Sequence, residues 1–279
     1  MTSERSPLWR RLLRSPAFVT GTALLALSLV MILMSATFYR GNPLSVDSPP
    51  FIEPVTEAAH PLGTDMLGRD MLAQMVHGAR VSLLTGLVAA AVAVLLGALL
   101  GVLGGYFGGW VDRACTRITE VFQTLPQLLL AIVLVAVLTP SLWSTMLAIG
   151  LTSWPQVARV VRPEVMRLRQ TDFVHAAALS GMPPLRIIWH EVLPNVVPTV
   201  VALASVLVAT AILTESALAF LGLGDPNLAS WGAMIGAGRS VLRDAWYVAA
   251  FPGFAILATV LAFALIGNGI NDALHLRRR

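Results

Sequence analysis

His190 and Glu191 begin the stretch HEVLP (190–194) in the manner of a zinc-binding H-E-x-x-H helix. Such a helix holds a metal between two imidazoles one turn apart and uses the glutamate as a base. Position 194, where the second imidazole is needed, is proline, so the pair cannot complete that site. A serine nucleophile of the hydrolase type would require a G-x-S-x-G elbow, and the sequence has none. His60 and Asp65, in HPLGTDMLGRD (60–70), offer two metal-binding side chains, but on a loop punctuated by proline and glycine they read as hydrogen-bonded turn residues. The five histidines are scattered, and a single cysteine, Cys115, excludes an intrachain disulfide or a multi-cysteine metal cluster. These residues point to no metal site and to no catalysis by the chain. All 19 basic residues are arginine. A G-x-x-x-x-G-K-[ST] loop needs its lysine to reach nucleotide phosphates, so the chain has no P-loop of its own.

What remains is polar chemistry in apolar surroundings. Glu120, Gln123, Thr124 and Gln127 fall at i, i+3, i+4 and i+7, which is one face of a helix. On a spanning helix such a stripe costs free energy against lipid and should face a bundle interior or a watery pathway. The alternative is that these side chains only cover a membrane interface. Glu215, in ILTESALAFLGLG (212–224), lies about 19 residues beyond Val196, near the far interface at 1.5 Å per residue. There it could bind a cation or a substrate amine, or it could cap a helix end and hydrogen-bond a neighbouring span. Asn268, Asn271 and Asp272, at the end of the last apolar run, read as interfacial in the same way.

The elements that must carry these residues are membrane helices. The 279 residues are 56% hydrophobic and 12% charged, with a mean hydropathy of +0.76; a soluble domain has about 25% charged residues. Several runs approach or exceed the roughly 18–20 apolar residues that cross a bilayer as helix, and none shows the alternation of a barrel strand. Six spans are predicted, at about 17–38, 81–106, 118–138, 142–161, 196–215 and 247–270. The fold class is an all-α polytopic membrane protein. Its divisions are a tail (1–16), a first anchor (17–38), an external loop (39–80), a five-span core (81–272) that includes a loop at 162–195, and a second tail (273–279). The first run is too long for a signal-peptide core of about 7–15 residues and has no A-x-A site after it, so it reads as an anchor.

Placing both termini in the cytoplasm puts 14 arginines inside: Arg5, Arg10, Arg11, Arg14, Arg113, Arg117, Arg159, Arg162, Arg167, Arg169, Arg186 and Arg277 to Arg279. Five lie outside: Arg40, Arg69, Arg80, Arg239 and Arg243. The positive-inside rule favours this orientation. Arginines beside anionic lipid account for the net charge of +4 and the pI near 10.2, and no nucleic-acid partner is needed.

Ala89, Ala93, Gly97, Gly101, Gly105 and Gly109 recur at every fourth position. Such a ribbon lets another helix approach closely, either within this chain or from a second membrane subunit. The inside loop TDFVHAAALSGMPPLRIIWHEVLPN (171–195) interrupts the apolar pattern with two short helices. Thr171 or Asp172 supplies an N-cap oxygen to the first helix, and Gly181 ends it. The second starts at Pro184 and stops before Pro194, where the next span begins. Ala176, Ala177 and Ala178 are small enough for this segment to sit in another protein's groove.

That loop resembles the coupling loop of ABC-importer permeases, whose pattern is E-A-A-x-x-x-G-x9-I-x-L-P. Ala176, Ala177, Gly181, Leu193 and Pro194 match it, His175 replaces the glutamate, and Glu191 stands where the pattern is apolar. GARVSLLTG (78–86), GGYFGGWVDR (104–113), SWGAMIGAGR (230–239) and the two stretches at 60–70 and 212–224 extend the likeness over nearly the whole chain. Together they resemble the C-type permease subunit of dipeptide, oligopeptide and nickel importers in bacterial inner membranes. The resemblance implies a heterodimer with a second permease, cytoplasmic ABC ATPase subunits that bind ATP and magnesium in this chain's stead, and an extracytoplasmic solute-binding protein. It also implies a coupling role for Asp172, His175, Ala176, Ala177, Gly181, Leu193 and Pro194. The rival reading is a stand-alone secondary transporter or channel, although no strongly charged residue lies at mid-membrane. Substrate is left open among dipeptides, longer peptides, nickel chelates and metallophores. The stripe lacks the His/Cys clustering that grips bare metal, which favours an intact peptide or chelate.

Overall fold

The computed structural model describes residues 12–39 and 41–278. Arg5, Arg10, Arg11, Arg40 and Arg279, used above for orientation, lie outside the described residues, as do the side chains of Arg277 and Arg278.

All regular structure among the described residues is helical, and the only β pairing there is an isolated bridge between Thr64 and Asp70. The helices are α1 (Pro16–Thr37), α2 (Met71–Phe107), α3 (Gly109–Thr124), α4 (Gln127–Leu138), α5 (Leu142–Arg169), α6 (Asp172–Leu179), α7 (Pro184–Ile187), α8 (Leu193–Phe220), α9 (Trp231–Gly238) and α10 (Tyr247–Arg278). One π-helical turn, Ile188–Val192, joins α7 to α8.

Among the described residues four helical stretches are long and apolar enough to cross a membrane, at Pro16–Ser35, Met71–Phe107, Pro184–Phe220 and Tyr247–Ala273. The pair α3 and α4 makes a fifth if counted as one span, but it is bent by 86°. The break follows from Pro126, which lacks the N–H that would continue the helix from α3. The predicted span at 142–161 falls in α5, which is long enough but carries Ser144, Thr145, Thr152 and Ser153, all buried. These four side chains lie on the face of α5 that is packed against the bundle, while Trp143, Leu147 and Leu151 are exposed on the other; Thr152 bonds the Ala148 carbonyl at 2.9 Å and Ser153 that of Ile149 at 2.7 Å. Those bonds make polar side chains tolerable in the middle of the bundle.

The start of α2 lies ten residues before the predicted span at 81. Asp70 fixes it: its carboxylate accepts the Ala73 N–H at 2.7 Å. Gln74 and His77, whose polarity obscured this turn in the sequence, both have partners. Gln74 Nε2 donates to Asp65, and His77 Nε2 donates to the Tyr39 carbonyl at 2.6 Å.

The core of the bundle is the contact between α2 and α5. Gly97 faces Val157 and the Trp154 carbonyl, Gly101 faces Val161, and Gly105 faces Val165 and the Arg162 carbonyl. A Cβ at Gly97 would stand 2.4 Å from that of Val157, so the two backbones meet only because these residues are glycine. Gly109 does not take part: it lies past the end of α2 at φ +56°, with nothing within 4 Å of where its Cβ would be. From this pair the bundle extends through α8 to α10 and α1, while α4 packs on α5 at the opposite edge. Ser28 and Thr259 share a hydrogen bond at 2.9 Å between α1 and α10. One end of the bundle carries the cap formed by residues 41–70 with α9, and the other carries α6 and α7. These are called the cap end and the loop end below.

Candidate functional site

At the loop end, Thr171 is the N-cap of α6, but its hydroxyl turns back to the Leu168 carbonyl and bonds no amide of the helix. Asp172 sits in the first turn, where a carboxylate complements the helix dipole. Val174 is the buried anchor of this helix and Ala177 is half-buried against the core, while Asp172, His175 and Ala176 face outward and are exposed. The helix closes at Gly181, φ +78°, where the Gly181 N–H bonds the Ala178 carbonyl and the Met182 N–H bonds that of Ala177. This is a Schellman closure, and its left-handed residue costs a glycine nothing.

The predicted break before Pro194 is absent. From Pro184 the chain runs through the π turn directly into α8, and Pro194, which lacks an N–H for the ladder, stands two residues past that turn. Ile187, Ile188 and Val192 anchor this run in the core, with Leu193 half-buried behind them. The outer surface carries large apolar side chains among its polar ones: Leu179 is 89% exposed, Trp189 68% and Leu185 65%. His190 donates through Nδ1 to the Arg186 carbonyl at 3.0 Å, so the HEVLP histidine is engaged within its own helix.

Two ion pairs brace this end. Arg162 grips Asp112 with two hydrogen bonds and ties α3 to α5, while Arg167 does the same to Glu164 within α5. Neither pair was singled out from the sequence; Asp112 and Arg162 are 50 residues apart and give no local signal. Beside them a cavity of about 800 Å³ opens between α5, α8 and α10, lined by Glu164, Arg167, Asn195, Thr199, Asn268 and Asn271 among others.

The polar stripe is split by the bend at Pro126. Glu120 pairs with Arg117 at 3.1 Å on the exposed face of α3, and the Thr124 hydroxyl donates to the Val121 carbonyl. Gln123 Nε2 reaches the Pro155 carbonyl at 3.4 Å. Beyond the bend, Gln127 Nε2 donates to Ser153 Oγ at 2.8 Å, and Gln127 Oε1 accepts from Gln156 Nε2 at 2.9 Å. Gln156 and Ser153 come from α5 and were missed by periodicity, which sees one helix at a time. Glu215 lies apart from this group. It is 4% exposed between α8 and α2 and accepts hydrogen bonds from Ser82 at 3.1 Å and Ser216 at 3.4 Å.

At the cap end His60 and Asp65 bond different partners. His60 joins Asp70 through Nδ1 and Ser48 through Nε2, both at 2.7 Å. Asp65 accepts the N–H groups of Leu67 and Arg69 and the amide of Gln74. The Tyr247 hydroxyl lies 3.0 Å from the carbonyls of both Ile52 and Thr64 and shares its proton between them, stitching the cap to the start of α10.

Residues 93–279 match the family model described as binding-protein-dependent transport system inner membrane component. The chain is 40% identical over 214 residues to the di/tripeptide transport system permease protein DppC of Pseudomonas aeruginosa, covering 76% of this chain and 71% of that one. It is 39% identical over 272 residues to the dipeptide transport system permease protein DppC of Escherichia coli K12, covering 95% and 91%. In fold it is similar to a chain of the inward-facing MetNI methionine ABC transporter, with a TM-score of 0.57, 19% identity, and coverage of 74% of this chain and 97% of that one.

Proposed function

This chain belongs to the family of binding-protein-dependent transport system inner-membrane components, as an ABC permease of the peptide-importer branch, and from that premise we propose that it forms half of a pathway carrying di- or tripeptides into the cell. A second permease supplies the other half, and an extracytoplasmic binding protein delivers the substrate at the cap end. Cytoplasmic ATPase subunits, which hold ATP and magnesium, dock at the loop end. Six spans with both termini inside follow if α3 with α4 and the hydroxyl-rich α5 each cross the membrane.

The observation that carries the ATPase docking is the outer surface of the loop. Leu179 at the end of α6, which Val174 anchors from beneath, Leu185 on α7 and Trp189 on the π turn, which Ile187, Ile188 and Val192 anchor, all face solvent at the end where arginines predominate. Apolar side chains held rigidly outward are what a helix-in-groove contact requires. Closure of the ATPases would push this knob. Because α7 and the π turn run unbroken into α8, a push on Leu185 or Trp189 would reach a spanning helix directly, whereas one on α6 would pass through the turn at 180–183. The peptide reading rests on the names of the relatives; nickel chelates and metallophores are the other members of the same substrate group.

The test is mass spectrometry of everything that co-purifies with a tagged copy from gently solubilised membranes. A second permease and one or two ATPases are expected, and the binding protein found with them is then screened against peptides and nickel chelates. Recovery of this chain alone, with transport intact after reconstitution without ATP, would replace the importer reading with that of a secondary transporter.

A further inference from the structure

We propose that Gln123, Gln127 and Gln156 form an amide ladder that hydrogen-bonds the peptide backbone of the passing substrate, whatever its side chains; this rests on the peptide-importer reading above.

Depth is the first argument. At 1.5 Å per residue, the 12 residues of α4 place Gln127 about 18 Å from the turn between α4 and α5. Gln156 stands about 21 Å along α5 from Leu142, so two independent elements bring the ladder to one level. If that turn lies at the membrane boundary, the level falls inside the roughly 30 Å of hydrocarbon. Amides at that depth are costly against lipid, so this face is covered by water or by protein.

Valence is the second argument. A glutamine amide offers two N–H donors and a carbonyl with two lone pairs. Within the group Gln156 donates to Gln127, Gln127 donates to Ser153, and Gln123 reaches the Pro155 carbonyl. Among the described residues the Oε1 atoms of Gln123 and Gln156 accept no hydrogen bond, and each of the three amides keeps one N–H unused. The bonds inside the ladder hold the amides in place, and the unused positions are an N–H on each rung and the Oε1 atoms of Gln123 and Gln156, which match the carbonyl and N–H that a peptide group presents. None of the three carries a charge, so the ladder does not discriminate among acidic, basic and apolar side chains. A path serving many peptides needs that indifference.

The experiment uses the intact importer in proteoliposomes, and the substrates are dialanine and its backbone N-methylated counterpart, which lacks the peptide N–H. For each substrate the ATP-driven uptake of the Gln156→Leu complex is divided by that of the wild type, so that the preferences of the binding protein cancel. The ratio for dialanine is expected to fall about fivefold further than that for the methylated peptide, the loss of the one neutral hydrogen bond that methylation has already removed. Equal falls for both substrates would mean that Gln156 only supports α4 or meets the second permease, and undiminished dialanine uptake would likewise overturn the ladder. Should Gln156→Leu fail to assemble, Gln156→Ala gives the same ratio. Absence of dialanine uptake by the wild-type complex would instead overturn the peptide reading beneath the proposal.

Discussion

At the cap end, residues 41–70 form no helix, yet the segment is tied at each turn: Asp65 gathers two backbone amides and Gln74, His60 bridges Ser48 and Asp70, and Tyr247 holds two carbonyls of the cap. At the loop end, residues 172–192 are almost wholly helical, yet they turn Leu179, Leu185 and Trp189 outward. Regular structure and self-sufficiency therefore run in opposite directions here. The cap satisfies part of its backbone with its own side chains and with Tyr247 of α10. The loop satisfies its backbone by helix hydrogen bonds, which frees its side chains for another protein. The segment without helix is the one tied by side-chain hydrogen bonds, and the helical segment is the one whose side chains are left for contact.

Breaking this contrast should cost stability at the cap and coupling at the loop. The largest effect is expected from Asp65→Ala, which strands two partly buried backbone amides and the buried side chain of Gln74; about 3 kcal/mol of stability should be lost, read as a fall in the thermal midpoint of the detergent-solubilised complex. Leu179→Asp comes next. It should lower coupled transport about thirtyfold, the scale of an interface hot spot of about 2 kcal/mol, with no change in that midpoint. Tyr247→Phe removes one shared hydrogen bond and should cost about 1 kcal/mol at the cap, again without touching coupling. The smallest effect belongs to His175→Glu. His175 is exposed on α6 beside Asp172, and docking by shape makes the ionic character of position 175 secondary, so restoring the family's glutamate should leave ATPase coupling nearly unchanged. A severalfold gain in coupled transport from that substitution would mean that charge, and not shape, governs the contact.

The sequence reveals most where the physics is local. Gly181 stands out because a helix that must turn left-handed at its end selects glycine, and the alanine and glycine ribbon of α2 because close approach selects small side chains over several turns. Long-range chemistry left no such trace. Asp112 and Arg162 meet from separate helices, and Gln156 joins the polar stripe only because α4 bends at Pro126 and lies along α5. Glu215 illustrates the converse: its place on α8 follows from helix rise, but its burial against Ser82 of α2 depends on how two distant helices pack. The hydroxyls of α5 weaken its apolar signal for the same reason, since they sit on the face packed against other helices while Trp143, Leu147 and Leu151 stay exposed.

The loop end as the ATPase docking face is tested most directly by photo-crosslinking in native membranes. A benzophenone amino acid is placed either at Leu179 on the loop or at Val55 on the exposed surface of the cap, and the adducts are identified by mass spectrometry. The expected result is an adduct between position 179 and an ATPase subunit, with none from position 55. An ATPase adduct from position 55, or none from position 179 while the complex transports, would contradict the docking knob and the orientation built on it.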